Sequence, residues 1–144
     1  MTISLSDEQR RAIAVAEDVA DVTVRDCLFD DDADRVVFVV KAGEIGRAIG
    51  RDGETVDRIE QRLGQDVTLV EDAETAEAFL ANAFAPAAVE GVTIEEGEDG
   101  RLARVDVDER DLGIAIGTDG RKIELVRELA DRHFDIDDIE LAEA

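Results

Sequence analysis

The chain has 144 residues and a formal net charge of −22, from 38 acidic and 16 basic side chains. Its apolar runs fall far short of the roughly 18 residues that a membrane span needs. Its start, Met1 to Glu8, has neither a basic n-region nor an apolar h-region, so no secretory leader is expected. The lone Cys27 cannot close an internal disulfide, which fits a reducing cytoplasm; with the lone His133 it offers no ordinary Cys/His metal set.

In chain order, Ser6 opens a helix, with Gln9 placed to complete a capping box. Ala12, Ile13, Ala16, Val19 and Ala20 then recur at helical spacing. A strand follows near residues 22–24 and runs towards Leu28 and Phe29, with Cys27 as a small core residue. The acidic segment 30–34 reads as a solvated turn into a strand at 35–41, where Val36, Phe38 and Val40 alternate as in a half-buried strand. A glycine-rich stretch leads to a helix striped by Val56, Ile59 and Leu63, with Gly64 as its C-terminal cap, and a strand at 67–70 closes the half.

The second half starts at once. Asp72 is placed to cap a helix striped by Ala76, Phe79, Leu80, Ala83 and Phe84, and Pro86 ends it. A strand around 92–94, an acidic turn at 95–100 and a strand at 102–107 follow. After a second glycine-rich stretch, Ile123, Val126, Leu129 and Ala130 stripe a helix, and a short strand lies near 136–141. His133, near a helix end, reads as a surface or capping residue.

The two glycine-rich stretches are copies of one another. Gly46, Ala48, Ile49, Gly50, Asp52 and Gly53 recur as Gly113, Ala115, Ile116, Gly117, Asp119 and Gly120. The match extends upstream, where Ala103, Val105 and Val107 repeat the alternation of Val36, Phe38 and Val40. Each half therefore reads α-β-β-α-α-β, with boundaries at 1–71 and 72–144, an α+β arrangement. The abrupt junction, with no Gly/Ser/Pro-rich linker, suggests halves packed as one rigid unit.

A Gly-x-x-Gly connection between two helices has a defined chemistry. Glycine permits positive φ and close approach of another backbone. The following helix offers unpaired N–H groups and the positive end of its dipole to an anion. A phosphodiester can cross such a loop, and the flanking Ile45, Ala48 and Ile49, or Leu112, Ala115 and Ile116, can form a shallow floor for bases, with some of them serving the core instead.

The element Ile-Gly-x-x-Gly with Val or Ile three residues on, here at Ile49–Gly53 with Val56 and at Ile116–Gly120 with Ile123, resembles the hallmark of KH domains. The order of elements resembles the type II form, which implies a three-stranded mixed sheet with helices on one face. Two abutting copies resemble the archaeal NusA-like transcription termination factors. The resemblance implies a cytoplasmic monomer that needs no cofactor or metal and captures single-stranded nascent RNA, in termination or antitermination. Carried over by position, Ile49, Gly50, Arg51, Asp52 and Gly53 form the first clamp, with Arg47 and Arg51 as phosphate contacts. Ile116, Gly117, Thr118, Asp119 and Gly120 form the second, with Arg121 and Lys122 as its cations. The alternative is an assembly module docking on RNA polymerase or the ribosome.

The charge of −22 argues against RNA as a partner, since nucleic-acid binding normally begins with a basic patch. Both glycine stretches depart from that composition and are locally positive, through Arg47 and Arg51 in one and Arg121 and Lys122 in the other. With 44% hydrophobic residues the chain can pack a core, and its only lysines are Lys41 and Lys122. A folded, acidic, lysine-poor chain resembles proteins of salt-accumulating halophiles, where about 1 M salt cuts the Debye length to roughly 3 Å. No enzyme reading survives: the loops lack the Lys-Ser/Thr of a nucleotide-triphosphate loop, and they follow helices, unlike a dinucleotide fold.

Overall fold

The computed structural model describes residues 4–30 and 34–144. Asp31, Asp32 and Ala33, the middle of the expected acidic turn, lie outside the described residues. The chain divides into two compact units that meet between Ala73 and Glu74.

In the first unit α1 (Asp7–Ala20) starts at Ser6, whose hydroxyl accepts from the Gln9 N–H while the Gln9 side chain accepts from the Ser6 N–H. β1 (Val24–Asp30), β2 (Arg35–Val40) and β3 (Asp66–Glu71) form a sheet in that order, β1 antiparallel and β3 parallel to β2. The parallel return from β2 to β3 runs through α2 (Ile45–Ile49) and α3 (Glu54–Leu63), the latter capped by Gly64 in the left-handed region. Val36, Phe38 and Val40 face Ala12, Ile13, Ala16 and Ala20 of α1, Ala48 of α2 and Ile59 of α3 in one apolar cluster that also holds Cys27. The helices thus cover that face of the sheet. Alternation predicts a half-buried strand, but β2 is fully buried from Val36 to Val40, including Val37 and Val39 on its other face.

In the second unit α4 (Ala76–Phe84) precedes β4 (Val89–Gly97) and β5 (Gly100–Val107). Then come α5 (Leu112–Ile116), α6 (Arg121–Phe134) and β6 (Asp138–Glu143), and the sheet order β4-β5-β6 repeats the first unit's pairing. Ala103, Val105 and Val107 are buried while Arg104 is exposed, so β5 keeps the half-buried pattern. Thr75, not Asp72, caps α4: its hydroxyl accepts from the Ala78 N–H at 3.2 Å, and Asp72 lies too far upstream, accepting from Ala73 instead. The expected turn at 95–100 shrinks to Glu98 and Asp99, since Glu95 and Glu96 pair with Leu102 and Arg101, and an ion pair of 3.5 Å joins Glu96 to Arg101. Opposite charges facing each other across the ladder offset the poor strand propensity of glutamate. The last strand begins two residues later than expected. His133 is half-buried, with its ring 5.4 Å from that of Phe79.

Every non-glycine residue with positive φ among the described residues is an aspartate: Asp21, Asp34, Asp52, Asp119 and Asp135. Aspartate is among the few side chains that tolerate the left-handed region, so part of the acidic excess serves the backbone. The Ser6 cap should be separable from the rest. Ser6→Ala is expected to cost about 1 kcal/mol, read as a lower melting temperature with an unchanged circular dichroism spectrum.

Candidate nucleic-acid interface

The two Gly-x-x-Gly loops are the same object built twice. Gly50 sits at φ 78°, ψ 173° and Gly117 at 79°, 171°. Asp52 and Asp119 follow at 56°, 25° and 55°, 26°, and Gly53 and Gly120 at 77°, 12° and 75°, 12°. The shared Asp, which reads from sequence as a poor neighbour for a phosphate, has a backbone reason: it holds a left-handed position.

The first glycine of each loop is also required for space. A Cβ on Gly50 would strike the Thr55 hydroxyl and lie 2.8 Å from the Thr55 N, and one on Gly117 would lie 2.5 Å from Lys122 Cβ and 2.8 Å from its N. Thr55, absent from the sequence-based set, is thus part of the clamp's frame. Its signal in sequence is only its place in the first turn after the loop.

α3 and α6 both begin straight after the second glycine, and neither has a side-chain N-cap. α1 and α4 are capped by Ser6 and Thr75. The short α2 and α5, which enter the loops, also lack a side-chain cap, so each unit caps only its first helix. The Glu54 and Arg121 N–H groups donate to the Arg51 and Thr118 carbonyls, so what each helix start offers an anion is chiefly the positive end of its dipole.

The flanking apolar residues divide cleanly. Ala48 and Ala115 are buried, Ile45 and Leu112 are half-buried, and Ile49 and Ile116 are 41% and 43% exposed at the last helical position before each loop. Among the described residues, the other large apolar side chain that exposed is Ile114, at 46%.

The four predicted cations do not share one state. Arg51 and Arg121 are exposed and make no hydrogen bond or ion pair among the described residues. Arg47 Nη1 donates to the Asp21 carbonyl at 2.8 Å, and Lys122 Nζ donates to the Ala85 carbonyl at 3.3 Å. Thr118 and Asp119 are exposed like Asp52. At the entry to the second loop Arg110 is occupied as well. Its side chain, hydrogen-bonded to Asp108, holds that carboxyl below the usual carboxylate range, and Asp108 raises the guanidinium in return.

Comparison with known proteins places this geometry. Residues 10–80 match the family model described as KH domain, and residues 76–144 match that described as NusA-like second KH domain. A probable transcription termination protein NusA from Halobacterium salinarum is 58% identical over 141 residues, covering 98% of this chain and 99% of the relative. The chain belongs to the NusA-like family of transcription termination proteins. A NusA-like relative from Halococcus morrhuae is 54% identical over 142 residues, and one from Methanocaldococcus jannaschii is 29% identical over 139 residues, which is 75% of its length. The crystal structure of APE1850 superposes with a TM-score of 0.84 at 28% identity, covering 96% of this chain and all of the other. The two units are thus the paired KH domains of a NusA-like chain, and the acidic composition accords with relatives from salt-loving archaea.

Proposed function

We propose that the chain is an RNA-binding transcription termination or antitermination factor that captures single-stranded nascent RNA through its two Gly-x-x-Gly loops. One observation carries the reading: at both loops, and at neither of the other long helices, a helix start left without a side-chain cap lies beside an exposed isoleucine and an arginine with no partner among the described residues. The phosphodiester crosses the loop, its oxygens meeting the positive end of the helix dipole and Arg51 or Arg121, while bases rest on Ile49 or Ile116. Ile116, Gly117, Thr118, Asp119, Gly120, Arg121 and Lys122 make up the second site and Arg47, Ile49, Gly50, Arg51, Asp52 and Gly53 the first.

In concentrated salt, ionic attraction is screened within roughly 3 Å at about 1 M. Backbone hydrogen bonds and apolar base contacts then carry more of the affinity. Titration of single-stranded RNA oligomers in molar potassium chloride is expected to show saturable binding; none at high micromolar protein would sink the proposal.

A second reading, docking on RNA polymerase or the ribosome, is favoured by Ile114, exposed where the first unit has Arg47. Association with polymerase that survives loss of RNA binding would support it.

A further inference from the structure

The cations nearest the loops fall into two kinds, and the occupied kind points to a role of its own. α3 and α6 end with basic residues in their last turns, Arg62 in one and Arg132 and His133 in the other. α1 and α4 have none. A helix end with unsatisfied carbonyls and no cation of its own attracts one from elsewhere. α1 has the greater need, since its C-cap residue is itself an acid, Asp21.

Both helix ends receive a cation, and both receive it from a glycine stretch. Arg47 donates to the carbonyl of Asp21, the C-cap residue of α1, at 2.8 Å. Lys122 donates to the carbonyl of Ala85, the C-cap residue of α4, at 3.3 Å. The two donors are not equivalent in the repeat: Ile114 stands at the position of Arg47, and Thr55 at that of Lys122. One belongs to the helix that enters its loop, the other to the helix that leaves it. The same contact is thus reached from two unrelated positions, which a shared ancestry of the halves does not explain. Lys122 is tied to the loop a second way, since its Cβ fills the space beside Gly117.

We infer that Arg47 and Lys122 are positioning residues, latches that fix each clamp to the C-terminal end of its unit's first helix, and that the phosphate charge is met by Arg51 and Arg121. This rests on the RNA reading above.

Salt dependence separates the two roles. A cation that touches a phosphate releases counterions, so its loss makes the plot of log affinity against log salt shallower by about 0.7 for a single strand. A latch changes affinity but not slope. The test is RNA titration of the full chain over potassium chloride concentrations at which circular dichroism shows it folded. Arg51→Gln is expected to flatten the slope by about 0.7. Arg47→Gln and Lys122→Gln are each expected to lower affinity about three- to tenfold at every salt concentration, the range of one lost hydrogen bond, with slopes parallel to the parent's. Arg47→Lys and Lys122→Arg, which can still donate to the carbonyl, should recover most of the loss. A flattened slope for Arg47→Gln or Lys122→Gln would overturn the inference in favour of direct phosphate contact. Unchanged affinity with only a lower melting temperature would also overturn it, leaving a purely structural contact. A parent chain that binds no RNA would overturn the clamp reading and the latch together.

Discussion

Replacing Arg51 and Arg121 together by Asp is expected to weaken single-stranded RNA binding by at least about 100-fold, because each lost charge-assisted hydrogen bond is worth about 1.5–3 kcal/mol. These are the exposed, unpaired arginines of the two loops, one between the glycines of the first and one just after the second. The incoming carboxylates add repulsion of the same phosphates. The fold should be indifferent, since neither arginine has a partner to lose among the described residues. A charge-matched control makes the result specific. Arg11→Asp with Arg104→Asp makes the same change in net charge at exposed sites on α1 and β5. Equal weakening by the control pair would mean that overall charge, and not the loops, governs binding. Retained polymerase association in the loop variant would show that RNA capture and docking are separate.

Gly50→Ala should damage the first clamp far more than Gly53→Ala, although both glycines have φ near 78°. Gly53, at ψ 12°, is in the left-handed region, which costs a non-glycine residue roughly 1–2 kcal/mol; Gly50, at ψ 173°, is in an extended positive-φ region that is essentially reserved for glycine and costs other residues about 1–3 kcal/mol. Only at Gly50 does the new methyl also meet the Thr55 side chain and its backbone N at 2.8 Å; at Gly53 the nearest atom is Val56 Cγ1 at 4.0 Å. Backbone cannot swing aside like a side-chain tip, so overpacking adds about 1–3 kcal/mol. Gly50→Ala is therefore expected to destabilise by about 2–6 kcal/mol and to remove the first loop's share of RNA affinity, and Gly53→Ala to cost about 1–2 kcal/mol with binding largely kept. Thermal melts and RNA titration of both variants check this. Equal effects would show that neither the extended positive-φ backbone nor the close approach of Thr55 sets the first glycine apart.

Local rules carried most of the fold into the sequence. The Ser6–Gln9 capping box, the Gly64 cap and the repeat centred on Gly50 and Gly117 are short-range patterns, and each appears where its residues indicate. The misplacements arise where distant partners decide. Asp72 reads as the helix cap, and only the position of Ala76 as first helical residue gives that role to Thr75. Glu95 and Glu96 read as turn residues until their partners across the ladder are known. Val37 and Val39 differ from Arg104 and Asp106 in sequence, but alternation in the flanking residues conceals that β2 is buried on both faces. At the loops, sequence supplies the cations but not their occupancy. The bond from Arg47 to Asp21 spans 26 positions, and that from Lys122 to Ala85 spans 37, so no local pattern marks them as engaged.

The agreement of the two loops in backbone angle, with Arg51 in one and Thr118 in the other, separates what is fixed from what can drift. Two glycines and one left-handed aspartate set the frame; the residue after the first glycine lends its carbonyl to the following helix and leaves its side chain exposed. If the loops hold RNA as proposed, that position is where such a chain can change its ligand preference without renegotiating its fold. A duplicated domain in high salt can therefore keep one architecture and let its two halves diverge in taste, one substitution at a time.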